Sequence, residues 1–414
     1  MSRKSEHFRR ASWTLVDQAV VSLGNFLVNI LIARQLPPGE YGAFALLMGG
    51  LFTLQIVNSS LIFYPMSVRM AVSNGDDEKA LLGASTRIFF LFLIPLCVLL
   101  TASLFAFHLG AIAPSVVAYL ILWQLKEGTR RALLARFRIK EAIVGDAVSY
   151  LGQSAVIFGF VLAGSLNLQN AFWGMAAMSG LAVLIQARQL RVSLSAPSQV
   201  RLVLTDFWSI GGWALANNLI SYWRFYIFFG MLGVGWGAAA AASFQALLNV
   251  LNLANPVIQG LGNIIPQTAA RARADGDGTE WSTARTYMLL GVPPIFLYYA
   301  VAFIASEFLL RVFYGAASPY VELSLALRIL AVAFVANYGV EMICSFLHGI
   351  DAPRLALAIN IIGLGVALVA AFPLTSMFGL AGACVALVVA NVARLAASLY
   401  IVARATGNEP LRQS

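Results

Sequence analysis

The distribution of basic residues constrains this chain more than any other feature. Apolar runs of helix-spanning length follow one another from Trp13 to Ala403, and Lys and Arg gather in every second gap between them. One set of gaps holds Arg3, Lys4, Arg9 and Arg10; Arg69 and Lys79; Arg130 to Lys140; Arg188 to Arg201; Arg271 and Arg273; Arg354; and Arg404 and Arg412. The other set, near Pro37, Ala111, Leu166, Gly233, Ala316 and Met377, holds only Arg34 and Arg311. Cytoplasmic loops retain positive charge and translocated loops lose it. The alternation predicts a multi-pass membrane protein with both termini in the cytoplasm.

Composition agrees. The chain is 60% hydrophobic and 11% charged, with a mean hydropathy of +0.81. That is too little polar surface to cover a water-soluble globule. A crossing needs about 20 mostly apolar residues. Twelve such runs are expected, at 12–33, 41–66, 84–107, 112–134, 143–164, 170–188, 205–230, 238–266, 284–308, 320–349, 355–375 and 379–403. The predicted class is an all-α polytopic membrane protein. The net charge of +9 lies in scattered membrane-flanking loops and forms no continuous basic face, which argues against a nucleic-acid partner. Cys97, Cys344 and Cys384 fall inside the runs and read as small packing residues, with no disulfide framework and no metal spacing.

The chain repeats itself once. Tyr64-Pro65-Met66-Ser67 leads to Asn74-Gly75-Asp76, and Ile265-Pro266-Gln267-Thr268 leads to Asp275-Gly276-Asp277 at the same relative place. Trp13 precedes the first run as Trp208 precedes the seventh. A third set pairs Glu127 with Glu341, Lys140 with Arg354 and Asp146 with Asn360. The expected layout is an N-terminal six-helix bundle at 1–190, a basic cytoplasmic linker at 191–204 and a C-terminal six-helix bundle at 205–414. Six spans per half make the repeats parallel, related by an axis along the membrane normal, with a central cavity between them. Such a layout suits alternating access and not an enzyme. Neither a Gly-rich phosphate loop nor a metal-ligand cluster is visible. No cofactor is expected, and movement of any solute would draw on a gradient or the membrane potential.

Polar side chains within the runs mark the faces turned from lipid. Thr14, Gln18, Ser22, Asn25 and Asn29 step along one face of span 1, with Asp17 beside them. Span 7 carries Asn217, Ser221 and Arg224 on one face. Span 8 carries Gln245, Asn249, Asn252, Gln259 and Asn263, interrupted by Pro256, and span 2 echoes it with Gln55, Asn58 and Ser59. Amides of this kind also act as glue between helices; a hydrated lining is the reading that covers all four stripes together. Arg224 inside span 7 suits bidentate binding of phosphate. Asp17, Glu127 and Glu341 are candidate proton or sodium sites, with structural ion pairing the competing role for each. Arg130 and Arg131, at the end of span 4, are expected to reach the cytoplasmic headgroups. Asp146 near a span end is expected to be solvated or paired.

Span 1 ends in Ile32-Ala33-Arg34-Gln35-Leu36, followed by Pro37-Pro38-Gly39-Glu40-Tyr41-Gly42. This segment resembles the opening of the polysaccharide-exporter branch of the multidrug/oligosaccharidyl-lipid/polysaccharide exporter superfamily, the oligosaccharide flippases. The resemblance implies a V-shaped pair of six-helix bundles that pass an undecaprenyl-diphosphate-linked sugar through a hydrated cationic cavity, its lipid tail left in the bilayer. It implies lipopolysaccharide or exopolysaccharide export, with membrane lipid, a coupling H+ or Na+ and other polysaccharide-assembly proteins as partners. The family's cavity arginines would correspond to Arg224 and Arg34. Two rival readings stay open at this stage: a multidrug exporter of the same superfamily, led by a carboxylate such as Asp17 or Glu341, and a membrane assembly protein that transports nothing.

Overall fold

The computed structural model describes residues 3–70, 75–136, 138–190, 200–276 and 278–407, and every regular element among them is helical. In hydrocarbon only a helix or a closed barrel satisfies its own backbone polar groups, so apolar runs of this length fold as helices. Twelve long segments follow in order: α1 Arg3–Gln35, α2 Pro38–Met70, α3 Gly75–Ala106, α4 Ala113–Ala135, α5 Ile139–Leu162, α6 Leu168–Leu190, α7 Val200–Trp236, α8 Ala238–Ala274, α9 Glu280–Ile304, α10 Pro319–Gly349, α11 at 353–378 and α12 at 380–407. A nine-residue helix, Ser306–Tyr314, joins α9 to α10. Of the basic connection expected at 191–204, residues 191–199 lie outside the described residues, and Val200 already begins α7.

Among the described residues, nine stretches are long and apolar enough to cross a membrane. The last of them, Pro353–Arg404, has 52 residues. A straight helix of that length would span about 78 Å, against a hydrocarbon core of about 30 Å. Gly379 divides it into α11 and α12 with φ 56° and ψ −129°, a combination open to glycine and strained for other residues. The helices α4 and α7, of 23 and 37 residues, complete the twelve and carry charged side chains in their interiors. A single residue, Gly237 at φ 85°, likewise separates α7 from α8. Both one-glycine turns lie in gaps that lack basic residues.

The outer faces are those of a membrane protein. On α3, Phe90, Leu91, Ile94 and Val98 are exposed at helical spacing, and on α9 Leu289, Leu290, Phe296 and Leu297 are exposed together. Contiguous apolar surface of this kind is solvated by lipid and not by water.

The chain forms two compact units. The first comprises Met1–Leu36 and Leu47–Leu219, the second Pro37–Leu46 and Ile220–Ser414. The first has an apolar core that includes Ile62, Phe63, Met66, Ile88, Phe89, Leu133 and Phe207. The beginning of α7 joins it through a two-pronged pair between the Arg69 guanidinium and Asp206, with Nε to Oδ2 at 2.8 Å. In the second unit α10 packs along α11, α12, α8 and α9. There the start of α2 lies so close to the start of α8 that a Cβ on Gly42 would stand 1.7 Å from the Ala238 carbonyl oxygen.

Two π-turns interrupt helices of the first unit, Ser59–Phe63 in α2 and Ala147–Leu151 in α5. Each inserts a residue into the helical ladder and re-aims the side chains beside it. The second follows Asp146 directly and brings the Tyr150 ring under Lys126, 4.1 Å from Nζ. In α8 the comparable irregularity is a 3-10 turn, Asn252–Ala254, ahead of Pro256.

Candidate functional site

Each unit holds a buried polar centre, and the two differ in charge. In the first unit, α1 contributes Asp17, α4 contributes Lys126, Glu127, Arg130 and Arg131, and α5 contributes Asp146. Lys126 and Asp146 have no exposed surface, and Asp17, Glu127 and Arg130 are all buried. Lys126 Nζ donates to Asp146 Oδ1 at 2.9 Å and lies 3.9 Å from Glu127 Oε2. Arg130 Nε donates to Asp146 Oδ2 at 2.5 Å, its Nη2 donates to Asp17 Oδ2, and its Nη1 reaches Glu127 Oε1 at 3.4 Å. Arg131, half-exposed, closes the set from outside with Nε 2.9 Å from Glu127 Oε1. Three carboxylates thus face two buried cations and one half-exposed cation. Every cation is held by at least one carboxylate, while Asp17 Oδ1 is buried without a hydrogen-bond partner.

Arg130 corrects the expectation that both arginines at the end of α4 reach the headgroups. Neighbouring residues on a helix point about 100° apart. Arg131 therefore faces outward while Arg130 faces α1 and α5, where Asp17 and Asp146 draw it inward. Asp146, expected to be solvated or paired, is paired and fully buried.

In the second unit, α7 contributes Arg224, α10 contributes Asn337 and Glu341, α11 contributes Asn360, and α12 contributes Asn391 and Arg394. The two arginines are 3% and 1% exposed. Arg224 Nη1 donates to Asn391 Oδ1 at 3.0 Å and to Asn337 Oδ1 at 3.4 Å. Arg394 Nη1 donates to the same two oxygens, at 3.3 Å and 3.0 Å, and its Nη2 donates to Asn360 Oδ1 at 2.7 Å. Asn391 Nδ2 donates to the Ala333 carbonyl, which fixes its oxygen toward the guanidinium groups. The one carboxylate, Glu341, stands 3.4 Å from Arg394 and 3.7 Å from Arg224 through Oε1. Its side chain is 40% exposed. Two guanidinium groups against one carboxylate leave this centre with an excess positive charge, and Nε of both arginines lacks a partner. The stem of Arg394 lies against Gly363, where a Cβ would stand 2.2 Å from its Cδ.

The other singled-out residues are dispersed. Asn29 Nδ2 donates to the Asn25 carbonyl within α1 at 2.9 Å, and Gln18 and Asn25 are partly buried. Asn249 Nδ2 donates to the Tyr41 hydroxyl at 2.7 Å, and its Oδ1 accepts from Gln245 at 2.7 Å. It joins α8 to the start of α2. Asn217 and Ser221 are partly buried, Asn252 begins the 3-10 turn of α8, and Gln259 and Arg34 are exposed. Asn58 donates to Gln124 Oε1 across the first unit. The structure therefore brings Asp17 and Glu127 together in one centre, and Arg224 and Glu341 in the other. It adds Lys126, Arg130 and Asp146 to the first and Arg394, Asn337, Asn360 and Asn391 to the second. The sequence signal for Arg394 is the i, i+3, i+7 set Asn391, Arg394 and Ser398 inside an otherwise apolar run. All three side chains are buried.

No family model matches the sequence, and no curated protein matches it. Solved structures do. An inward-facing multidrug resistance MATE family transporter of the MOP superfamily superposes with a TM-score of 0.79 at 15% identity, covering 94% of this chain and 95% of the other. The lipid II flippase MurJ in an inward closed conformation gives a TM-score of 0.73 at 12% identity, covering 94% and 86%. A MOP superfamily transporter from Pyrococcus furiosus, described as having a binding pocket of reversed polarity, gives 0.67 at 14% identity, covering 97% and 96%. This chain has the fold of these proteins: twelve helices in two six-helix bundles.

Proposed function

We propose that this chain is a flippase that moves a lipid-linked oligosaccharide across the bacterial inner membrane by alternating access. The observation that carries the reading is the sign of the charge in the second unit. Arg224 and Arg394 are buried inside a lipid-solvated helix bundle and share one half-exposed carboxylate. Burying an excess cation is unfavourable unless an anion visits it. A diphosphate between sugar and polyprenyl lipid is such an anion, and guanidinium groups bind it through paired hydrogen bonds. The likeness to MurJ in fold is in keeping with this substrate class, and the charge alternation supports cytoplasmic termini. The two compact units, which divide within α7 after Leu219 and not at the basic connection, would be the moving halves.

The centre in the first unit is suited to coupling. Its carboxylates are already paired with Lys126, Arg130 and Arg131, so the open position is Asp17 Oδ1, with H+ or Na+ as the coupling ion. The rival reading, a cation-coupled multidrug exporter, rests on this same carboxylate and on the likeness to the MATE transporter.

The test is translocation in proteoliposomes, with a fluorescent polyprenyl-diphosphate sugar and a cationic dye as alternative cargoes. The flippase reading expects sugar-lipid movement that falls at least tenfold in Arg224→Gln, with no dye movement. Dye movement that needs Asp17 and ignores Arg224 would replace the reading with drug export.

A further inference from the structure

The geometry points to Glu341 as a displaceable internal counter-anion, standing where a phosphate of the translocated head group binds between Arg224 and Arg394. This inference rests on the flippase reading and deepens it. Among the residues of this centre, Glu341 is the one held loosely. A single oxygen, Oε1, faces both guanidinium groups at 3.4 Å and 3.7 Å, beyond the 2.7–2.9 Å of a strong charged hydrogen bond. The amide oxygens hold the same arginines more closely, at 2.7 Å from Asn360 and 3.0 Å from Asn391. The amides therefore fix the guanidinium groups, and the carboxylate only neutralises them.

Exposure points the same way. Glu341 keeps 40% of its side chain exposed, while the arginines behind it keep 3% and 1%. A ligand reaching the guanidinium groups meets the carboxylate first. Displacing it would leave two uncompensated buried cations, which is favourable only when an incoming anion brings at least as much charge. Diphosphate does so, and its oxygens can take the place of Oε1 before the two guanidinium groups. A neutral or zwitterionic head group cannot, so the carboxylate would also set charge selectivity.

The first unit supplies a contrast. Glu127, which the repeat pairs with Glu341, is held by Arg131 at 2.9 Å, Arg130 at 3.4 Å and Lys126 at 3.9 Å, and its side chain is 10% exposed. That carboxylate is locked. Glu341 occupies the corresponding place with fewer cations around it and an open side.

The test uses the full chain in nanodiscs of zwitterionic lipid. Binding is measured for undecaprenyl diphosphate, undecaprenyl monophosphate and inorganic pyrophosphate, with wild type, Glu341→Gln, Arg394→Lys and Arg224→Gln. Removing the competing charge is expected to tighten undecaprenyl diphosphate at least tenfold in Glu341→Gln and to narrow its advantage over the monophosphate. A matching gain for pyrophosphate would assign the recognition to the phosphates alone; a gain confined to the lipid would assign it to the head group with its tail. Unchanged or weaker binding in Glu341→Gln overturns the inference. If the arginine variants lose binding while Glu341→Gln is neutral, the anion site stands and only the displaceable carboxylate fails. If the arginine variants, intact by size exclusion, bind as wild type does, the flippase reading of this centre fails with it.

Discussion

Asn360 offers a direct test of the excess charge in the second unit. Its Oδ1 accepts from Arg394 Nη2 at 2.7 Å, and the residue is 8% exposed. Asn360→Asp replaces that oxygen with a carboxylate in the same place and brings the centre to charge balance. The Arg394 bond already involves one charged group and belongs to the class that contributes about 1.5–3 kcal/mol. A carboxylate adds a Coulomb attraction of about 4 kcal/mol at about 4 Å and an effective dielectric of about 20, offset in large part by its own desolvation. The substitution should therefore stabilise the protein by about 1–2 kcal/mol. At about 2–4 °C per kcal/mol for a unit of this size, the thermal transition rises by about 2–8 °C. Anion binding should move the opposite way. A new negative charge about 6 Å from a bound phosphate, at an effective dielectric of about 20, disfavours it by about 3 kcal/mol, about a hundredfold in affinity. The assay is thermal unfolding and polyprenyl-diphosphate binding on the same preparation. A higher transition with unchanged binding would show that the anion does not bind at this centre. A lower transition would show that Arg394 is not short of negative charge, and the electrostatic reasoning would fall.

Three further outcomes follow from the same geometry. Asp146→Asn takes the carboxylate from both Lys126 and Arg130. It should destabilise the first unit by about 3–5 kcal/mol, measured as a lower thermal transition, with much of the loss recovered when Lys126→Met is added. Gly42→Ala puts a methyl 1.7 Å from the Ala238 carbonyl oxygen and should lower stability by about 1–3 kcal/mol, seen as aggregation on gentle heating. Asn249→Leu removes the bonds to Tyr41 and Gln245; if these are structural, stability falls by about 1–3 kcal/mol while translocation by the surviving folded protein continues.

Much of the fold was legible because a membrane leaves few choices. Apolar runs must be helices, and the basic residues mark which ends face the cytoplasm. The division of 355–403 into two crossings illustrates this: hydropathy alone sees one stretch, while Gly379 in a gap without basic residues marks the turn that the backbone makes at φ 56°. The composition of α4 and α7 obscures them as crossings, since their interiors hold Lys126, Glu127, Arg130 and Arg224. The alternation of basic gaps requires both helices regardless. What could not be read was the rotation of each helix about its axis, which tertiary packing sets. Arg130 and Arg131 are adjacent in sequence and of one type, yet one is buried among carboxylates and the other half-exposed. The amide stripes carried the same ambiguity. Asn29 returns to its own helix backbone, and Asn249 ties α8 to Tyr41. Glu40-Tyr41-Gly42, which carried the family resemblance, lies at the start of α2 and has a structural role there, with Tyr41 fully buried and Gly42 in close backbone approach.

The repeat explains why one fold holds two centres of different charge. In each half the first, fourth and fifth helices contribute to the polar centre, and in each a long side chain of the sixth helix lies against a glycine of the fifth: Gln186 against Gly145, and Arg394 against Gly363. The pairing of Glu127 with Glu341 and of Asp146 with Asn360 places acceptors at matching positions. The source of the cations separates the halves. In the first, α4 itself supplies Lys126, Arg130 and Arg131 to match three carboxylates. In the second, the positions paired with Lys126 and Arg130 are Val340 and Cys344, and the cations come from α7 and α12. Exchanging one carboxylate for Asn360 and moving the cations to other helices turns a closed set of ion pairs into an underneutralised pair of arginines. On the proposed reading, the charge-balanced centre responds to a proton or sodium ion at Asp17, and the arginine centre, with its excess positive charge, to an anion. Two polar centres of different charge thus arise from a few side-chain changes on a common helical frame.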